Sequence, residues 1–127
     1  MQVEADVNPT EDSSKVRLAI ENVFGSLRFD EKPQRKGSLL LGQSLGIDSL
    51  SHFGSLLRRE RIRAAARVVL SRGRRGRTIA FCLNKQVAFA GHVSFCEPVA
   101  ESPLGPIRVE ITCDNPSEVL DFLAPRT

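Results

Sequence analysis

Tryptophan and tyrosine are absent from the chain, and its 127 residues include two histidines and one methionine. Phenylalanine alone supplies aromatic rings, and its seven copies fall at core-like places in the apolar pattern. A stacking platform for single-stranded nucleic acid is therefore poorly supported. No apolar run approaches the roughly 18 residues of a membrane span. The opening MQVEADVNP carries neither the basic flank nor the apolar core of a secretory signal, so export is not expected. Cysteine is scarce and odd in number: Cys82, Cys96 and Cys113. Each lies in a strand-like run, and none shows the paired C-x-x-C spacing of a zinc site. They read as buried thiols in a reducing cytoplasm rather than as metal ligands or redox centres.

Catalytic groupings are also missing. His52 and His92 stand alone, with no partner at motif spacing, and read as surface or structural side chains. GRRGR, residues 73–77, lacks the lysine and Ser/Thr of a phosphate-binding P-loop and follows a helix where that motif follows a strand. Glu11 and Asp12 suit the start of a helix, and Glu101 and Ser102 suit a turn. The sequence gives no reason to expect an enzyme, a metal or a cofactor. A pocket lined by residues 101–107 is the remaining small-molecule alternative.

What is present is positive charge gathered in one place. Residues 58–77, RRERIRAAARVVLSRGRRGR, hold nine arginines and one acid, Glu60, for a charge of +8. The other 107 residues hold nine basic and 14 acidic side chains, for −5. A segregated field of this kind steers anionic partners better than an even one. Arginine outnumbers lysine 14 to four; thermal adaptation can enrich charged residues, but it does not explain the clustering.

The apolar pattern predicts one α+β domain over residues 1–127, with the 41% apolar content of an ordinary globular protein. QVEADVN alternates as a strand with Val3, Ala5 and Val7 inward. Thr10 is placed to cap a helix whose inward stripe is Val16, Ala19, Ile20, Val23 and Phe24, with Gly25 as its stop. SLRFD (26–30) reads as a strand, EKPQRKG as a loop, and SLLLGQSL as a short strand weakened by Gly42. From Asp48 or Ser49 a helix carries Leu50, Phe53 and Leu57. A second stripe, Ile62, Ala65, Ala66, Val69 and Leu70, lies about a third of a turn away on an ideal helix, so a break is expected near Arg58 to Glu60. TIAFCLN and KQVAFAGHVSFC read as a hairpin turning at Asn84-Lys85. SPLG (102–105) fits a type I turn, PIRVEITC a strand, and Ser117 a cap for a last helix that Pro125 ends. The order β-α-β-(β)-α-α-β-β-β-α implies a mixed or antiparallel sheet with helices packed on one face.

Four stretches, PTED (9–12), LNKQ (83–86), ESPLGPI (101–107) and the closing FLAPRT, resemble an archaeal protein family, UPF0201, across nearly the whole chain. The resemblance implies a fold like that of the large-subunit ribosomal protein L-five, an archaeal cytoplasmic origin, and RNA binding. It implies no catalytic residues. The residues themselves point the same way. Arginine's planar fork gives phosphate two hydrogen bonds and stays charged, and structured RNA is read largely through shape, phosphate and 2′-hydroxyl. The expected RNA contacts are Arg59, Arg63 and Arg67, at i, i+4 and i+8 along a helix flank, and Arg72, Arg74, Arg75 and Arg77 in the following loop. The alternative is a protein-interaction or assembly module, such as a homodimer, in which the 14 acids elsewhere neutralise these arginines.

Overall fold

The computed structural model describes residues 1–44, 48–96 and 105–125. In chain order the elements are β1 (Gln2–Val7), α1 (Ser13–Phe24), β2 (Arg28–Pro33), β3 (Ser38–Gln43), α2 (Asp48–Arg59), α3 (Arg63–Arg72), β4 (Arg74–Arg75), β5 (Thr78–Leu83), α4 (Lys85–Phe89), β6 (Phe95–Cys96), β7 (Ile107–Thr112) and α5 (Pro116–Leu123). The strands form one sheet in the order β2-β3-β1-β7-β5-β4, with β6 also on β5. Every pairing is antiparallel. β4 and β6 lie end to end along the β5 edge opposite β7.

Alternation decides which face of the sheet is covered. Ala5, Leu40, Ile107 and Leu83 stand in one cross-strand row, and all four are buried. Val3, Val109 and Phe81 form the next row and are buried as well. The helices pack on this face. A file of rings crosses the interface: Phe24 of α1 lies 5.0 Å from Phe53 of α2, Phe53 5.5 Å from Phe81, and Phe81 5.9 Å from Phe95. The inward stripe of α1 is the expected one, Val16, Ala19, Ile20, Val23 and Phe24. β3 tolerates Gly42 because Phe29 stands directly opposite it. The Phe29 ring occupies the space a Cβ would need, at 3.0 Å, so the aromatic side chain covers the bare glycine backbone.

Several local expectations are corrected. Asp12, not Thr10, caps α1, its carboxylate accepting from the Ser14 amide. Glu11 therefore lies outside the helix and makes other contacts. β2 begins at Arg28 and continues through Pro33, into residues read as loop; Pro33 is tolerated because β2 is an edge strand. Asn115, not Ser117, caps α5, with Pro116 in the first turn. The largest departure is at residues 84–90. Lys85–Phe89, flanked by Asn84 and Ala90 as caps, form helix α4 and not the second arm of a hairpin. The Asn84 side chain caps it by accepting from the Val87 amide, and the Asn22 side-chain amide donates to the carbonyls of Ala88 and Phe89 at its far end. β6 then returns to pair with β5, so the hairpin closes with a helix inserted in it. The SPLG turn lies almost wholly outside the described residues.

The expected break between the two helical stripes is present, centred on Glu60 to Ile62. Arg61 takes a left-handed φ of 58°. Its amide bonds the Arg58 carbonyl, and the Ile62 amide bonds that of Leu57. These are the paired bonds of a Schellman stop, here made without glycine. Ile62 then opens α3, its carbonyl accepting from Ala66.

Candidate nucleic-acid interface

The arginine segment folds as the end of α2, the elbow, all of α3, and a tight β4–β5 hairpin that turns at Gly76 (φ 60°). Ala66 and Leu70 of α3 are buried against the core, which leaves the long cationic side chains on the outside. Gly73 is required at the end of α3. A Cβ there would strike the Ala80 carbonyl oxygen, because the backbones meet closely where the Ala80 amide donates to the Gly73 carbonyl at 3.0 Å.

The structure brings part of the expected set together. Arg72, Arg74, Arg75 and Arg77 are all exposed within one turn of helix and one hairpin. Arg75 folds back so that its guanidinium donates to the carbonyls of Arg72 and Arg74, at 3.0 and 2.8 Å, where the helix leaves acceptors unsatisfied. Arg74 donates to Ser117 Oγ at 3.2 Å and ties the hairpin to the start of α5. Arg63 lies half-buried at the other end of α3.

Two members stand apart. The i, i+4, i+8 row placed Arg59 on the second helical segment; the break falls after it instead, leaving Arg59 at the end of α2 and Arg63 and Arg67 on α3. Arg59 lines a shallow groove with Asn22, His52, Ser55 and Gly91. Arg67 instead reaches α5, donating to Asp121 Oδ1 and to the Ala124 carbonyl, each at 2.9 Å. Its side chain is only 20% exposed, so it fastens α3 to α5.

Neutralisation by carboxylates is slight. Among the described residues, Arg67 is the one arginine of the segment in an ion pair. Glu60, the single acid of the stretch, turns to the His92 ring, with Nδ1 to Oε1 at 2.7 Å, and to the Val93 amide. His92 is thus a structural partner, as expected. The Nε2 of His52 donates to the Asn22 carbonyl at 3.1 Å.

Sequence reasoning missed a second cluster. Lys85 is only 6% exposed, and its ammonium donates to the Asp6 carbonyl at 2.7 Å and to both Glu11 oxygens at 3.1 and 3.3 Å. The Asn8 amide and side chain donate to Glu11 Oε1. Burial raises the Glu11 pKa, but the hydrogen bonds from Asn8 and then Lys85 outweigh it and hold the carboxyl below its ordinary value of 4.5. A cavity of about 300 Å³ lies beside this pair, lined in part by Thr10, Lys15, Gln86 and Phe89. No local signal pairs Glu11 of PTED with Lys85 of LNKQ, which lie 74 residues apart and meet only on folding. Residues 101–104, from the ESPLGPI pocket alternative, lie outside the described residues. Phe89 and Phe122 are 46% and 50% exposed, which corrects the expectation that every phenylalanine is core. Among the described residues no cluster of ligands for a metal is found, and no helix is long and apolar enough to cross a membrane.

A family model described as RNA binding matches residues 1–113. A UPF0201 protein of Pyrobaculum neutrophilum is 45% identical over 130 aligned positions, covering 100% of this chain and 91% of that one. The chain belongs to the UPF0201 family. A second UPF0201 relative, from Sulfurisphaera tokodaii, is 41% identical and covers 98% of this chain and 86% of its own. The crystal structure of the UPF0201 protein of Methanococcus jannaschii superposes with a TM-score of 0.85 at 32% identity, covering 99% of this chain and 92% of that one. These UPF0201 relatives are archaeal, and the α+β architecture is that of the family.

Proposed function

We propose that this UPF0201 protein binds structured RNA through its phosphate backbone, without catalysis, in the cytoplasm. The carrying observation is the arginine surface around α3 and the β4–β5 hairpin, where only Arg67 has a carboxylate partner among the described residues. The family description, RNA binding, supports the same reading. Arg63, Arg72 and Arg77 have no side-chain hydrogen bond or ion pair among the described residues, so their guanidinium forks remain available to phosphate. Arg74 and Arg75 each use one nitrogen internally and retain further donors. Arg59 would extend the contact across the elbow. The two ends of α3 are about 15 Å apart, from ten residues at the helical rise, so contacts at both ends would reach separate phosphates. Arg67 would contribute by holding α3 against α5 more than by direct contact.

The test compares wild type with Arg63→Glu/Arg72→Glu/Arg77→Glu in titrations of a base-paired RNA. The expected result is at least about a tenfold loss of affinity at low salt, since each lost phosphate contact also removes a counterion-release contribution. Equal affinity in the two proteins would remove the arginine surface as the binding site. Should neither bind RNA while light scattering shows a concentration-dependent mass, the assembly reading takes its place.

A further inference from the structure

A second cationic element lies far from the arginine segment. Pro33 stands opposite Ser38, so the β2–β3 hairpin turns through Gln34 to Gly37 with Arg35 and Lys36 at its tip. The Gln34 amide donates to the Gly37 carbonyl at 3.1 Å. Gly37 takes a φ of 78°, and a Cβ there would strike the Val7 carbonyl oxygen, so glycine lets the turn sit close against the end of β1. Every residue from Glu31 to Gly37 is exposed. Lys32, Arg35 and Lys36 enter no ion pair among the described residues. Glu31 accepts from the Ser38 hydroxyl, and Asp30 lies further back along β2.

Strand register fixes where this tip stands relative to the β4–β5 hairpin. Ser38 is level with Val7, Ala5 with Ile107, and Ile107 with Leu83. The β2–β3 turn is thus at the Leu83 end of the sheet, whereas the arginine turn is at the Thr78 end and on the opposite edge. Four strand spacings, about 19 Å, and seven residues along the strands, about 23 Å, separate the two tips, which places them roughly 30 Å apart on one diagonal. A twisted sheet is saddle-shaped, so the two corners of a diagonal bend toward the same face. With the right-handed β1–α1–β2 crossover that parallel strands of one sheet adopt, this diagonal bends away from the helices. Lys32, opposite Leu39, and Arg75, opposite Thr78, stand on that open face. Between the tips the face carries Glu4, Asp6 and Glu110 beside Arg108, a floor with little attraction for phosphate.

We propose that the β2–β3 tip is a second phosphate-binding site for the same RNA, so that one duplex lies along this diagonal and is held at two points. The inference rests on the reading of the arginine surface given above. A span of roughly 30 Å is on the order of one helical turn of a duplex, and after one turn the same backbone faces the same side again. A straight duplex resting on the two raised corners meets Arg75 and Arg77 at one and Lys32, Arg35 and Lys36 at the other. It spans the acidic floor without touching it. Each contact is a charge-assisted hydrogen bond to phosphate and carries no sequence information. The partner is therefore selected by being double-stranded and at least one turn long.

The test titrates RNA stems of about eight and about 20 base pairs, shorter and longer than one turn. The salt is about 0.15 M, where charge is screened beyond roughly 8 Å and one tip cannot act on RNA at the other through space. Lys32→Gln/Arg35→Gln/Lys36→Gln is expected to bind the long stem at least about tenfold more weakly than wild type and the short stem equally well. The unchanged short-stem affinity also shows that the variant is folded. Arg63→Glu/Arg72→Glu/Arg77→Glu is expected to lose affinity for both stems. If the β2–β3 variant binds the long stem like wild type while the arginine variant binds it weakly, the second site is overturned and the arginine surface stands. An equal loss on both stems would overturn the two-point contact. An arginine variant with undiminished affinity for both stems would remove the reading on which the proposal rests.

Discussion

Glu11 stabilises the fold in its ionised form, and the sign follows from its surroundings. Its pKa in the folded chain is held below 4.5 by Asn8 and Lys85, against the opposing pull of burial. A depressed carboxyl value means stability that is fully present above the unfolded-state pKa and lost as pH falls through the folded one. Glu11→Gln is expected to cost about 1–3 kcal/mol near neutrality and to flatten the decline in stability on the acid side of pH 4.5. Urea unfolding across that range measures both effects; an acid limb as steep as wild type would show that Glu11 does not contribute to it. Arg67 and Arg63 look alike in sequence but differ in environment. Arg67→Ala removes hydrogen bonds to Asp121 and to the carbonyl of buried Ala124 and is expected to cost about 1–2 kcal/mol, tempered by the exposure of Asp121. Arg63→Ala is expected to fall within about 0.5 kcal/mol of wild type. Denaturation midpoints at unchanged slope separate the two.

The elements show where periodicity suffices and where it fails. β1, α1, β5 and β7 were legible because each presents a long enough run with one clear period and buries the expected residues. The elbow was legible because two stripes a third of a turn apart cannot both face one core on a straight helix. Its chemistry was not, because no glycine marks it. Arg61 holds the left-handed conformation at a cost that L-residues other than glycine rarely accept. Arg61→Gly is expected to raise stability by about 0.5–1 kcal/mol, a gain readable as a higher unfolding temperature; a loss would mean that the Arg61 side chain contributes more than its backbone costs. α4 was misread because Val87 and Phe89 alternate as they would in a strand, and five residues are too few to distinguish the two periods. The deciding features were the Asn84 cap and the Asn22 contacts 66 and 67 residues away, and only the first of these is local.

At the scale of the whole molecule, the charge asymmetry persists after folding. Among the described residues, Glu4 and Asp6 pair with Arg108, Glu21 with Arg17 and Glu11 with Lys85, and Asp121 is the one carboxylate that pairs with an arginine of the segment, Arg67. The arginine surface therefore retains a field able to steer a polyanion. If about five arginines reach phosphate, log affinity for RNA is expected to fall against log salt with a slope of roughly −3.5 to −4.5. A titration series in potassium chloride measures it, and a slope near zero would mean that recognition does not proceed through phosphate. The candidate site was partly legible at this scale. Clustering along the chain placed Arg72, Arg74, Arg75 and Arg77 together because they share the end of α3 and the one short hairpin that follows it. It could not place Arg59 and Arg67, whose directions depend on a break in the helix and on α5 packing beside α3.

The sequence by itself determined the fold class, the inward stripes and the existence of one cationic segment, because short-range periodicity and charge order are written residue by residue. Tertiary structure alone decided which arginines remain available, that Lys85 is buried against Glu11, and that the two basic hairpins share one diagonal of the sheet. Each of these depends on contacts between residues distant in the chain or on strand register, and neither composition nor local spacing encodes which partner will arrive.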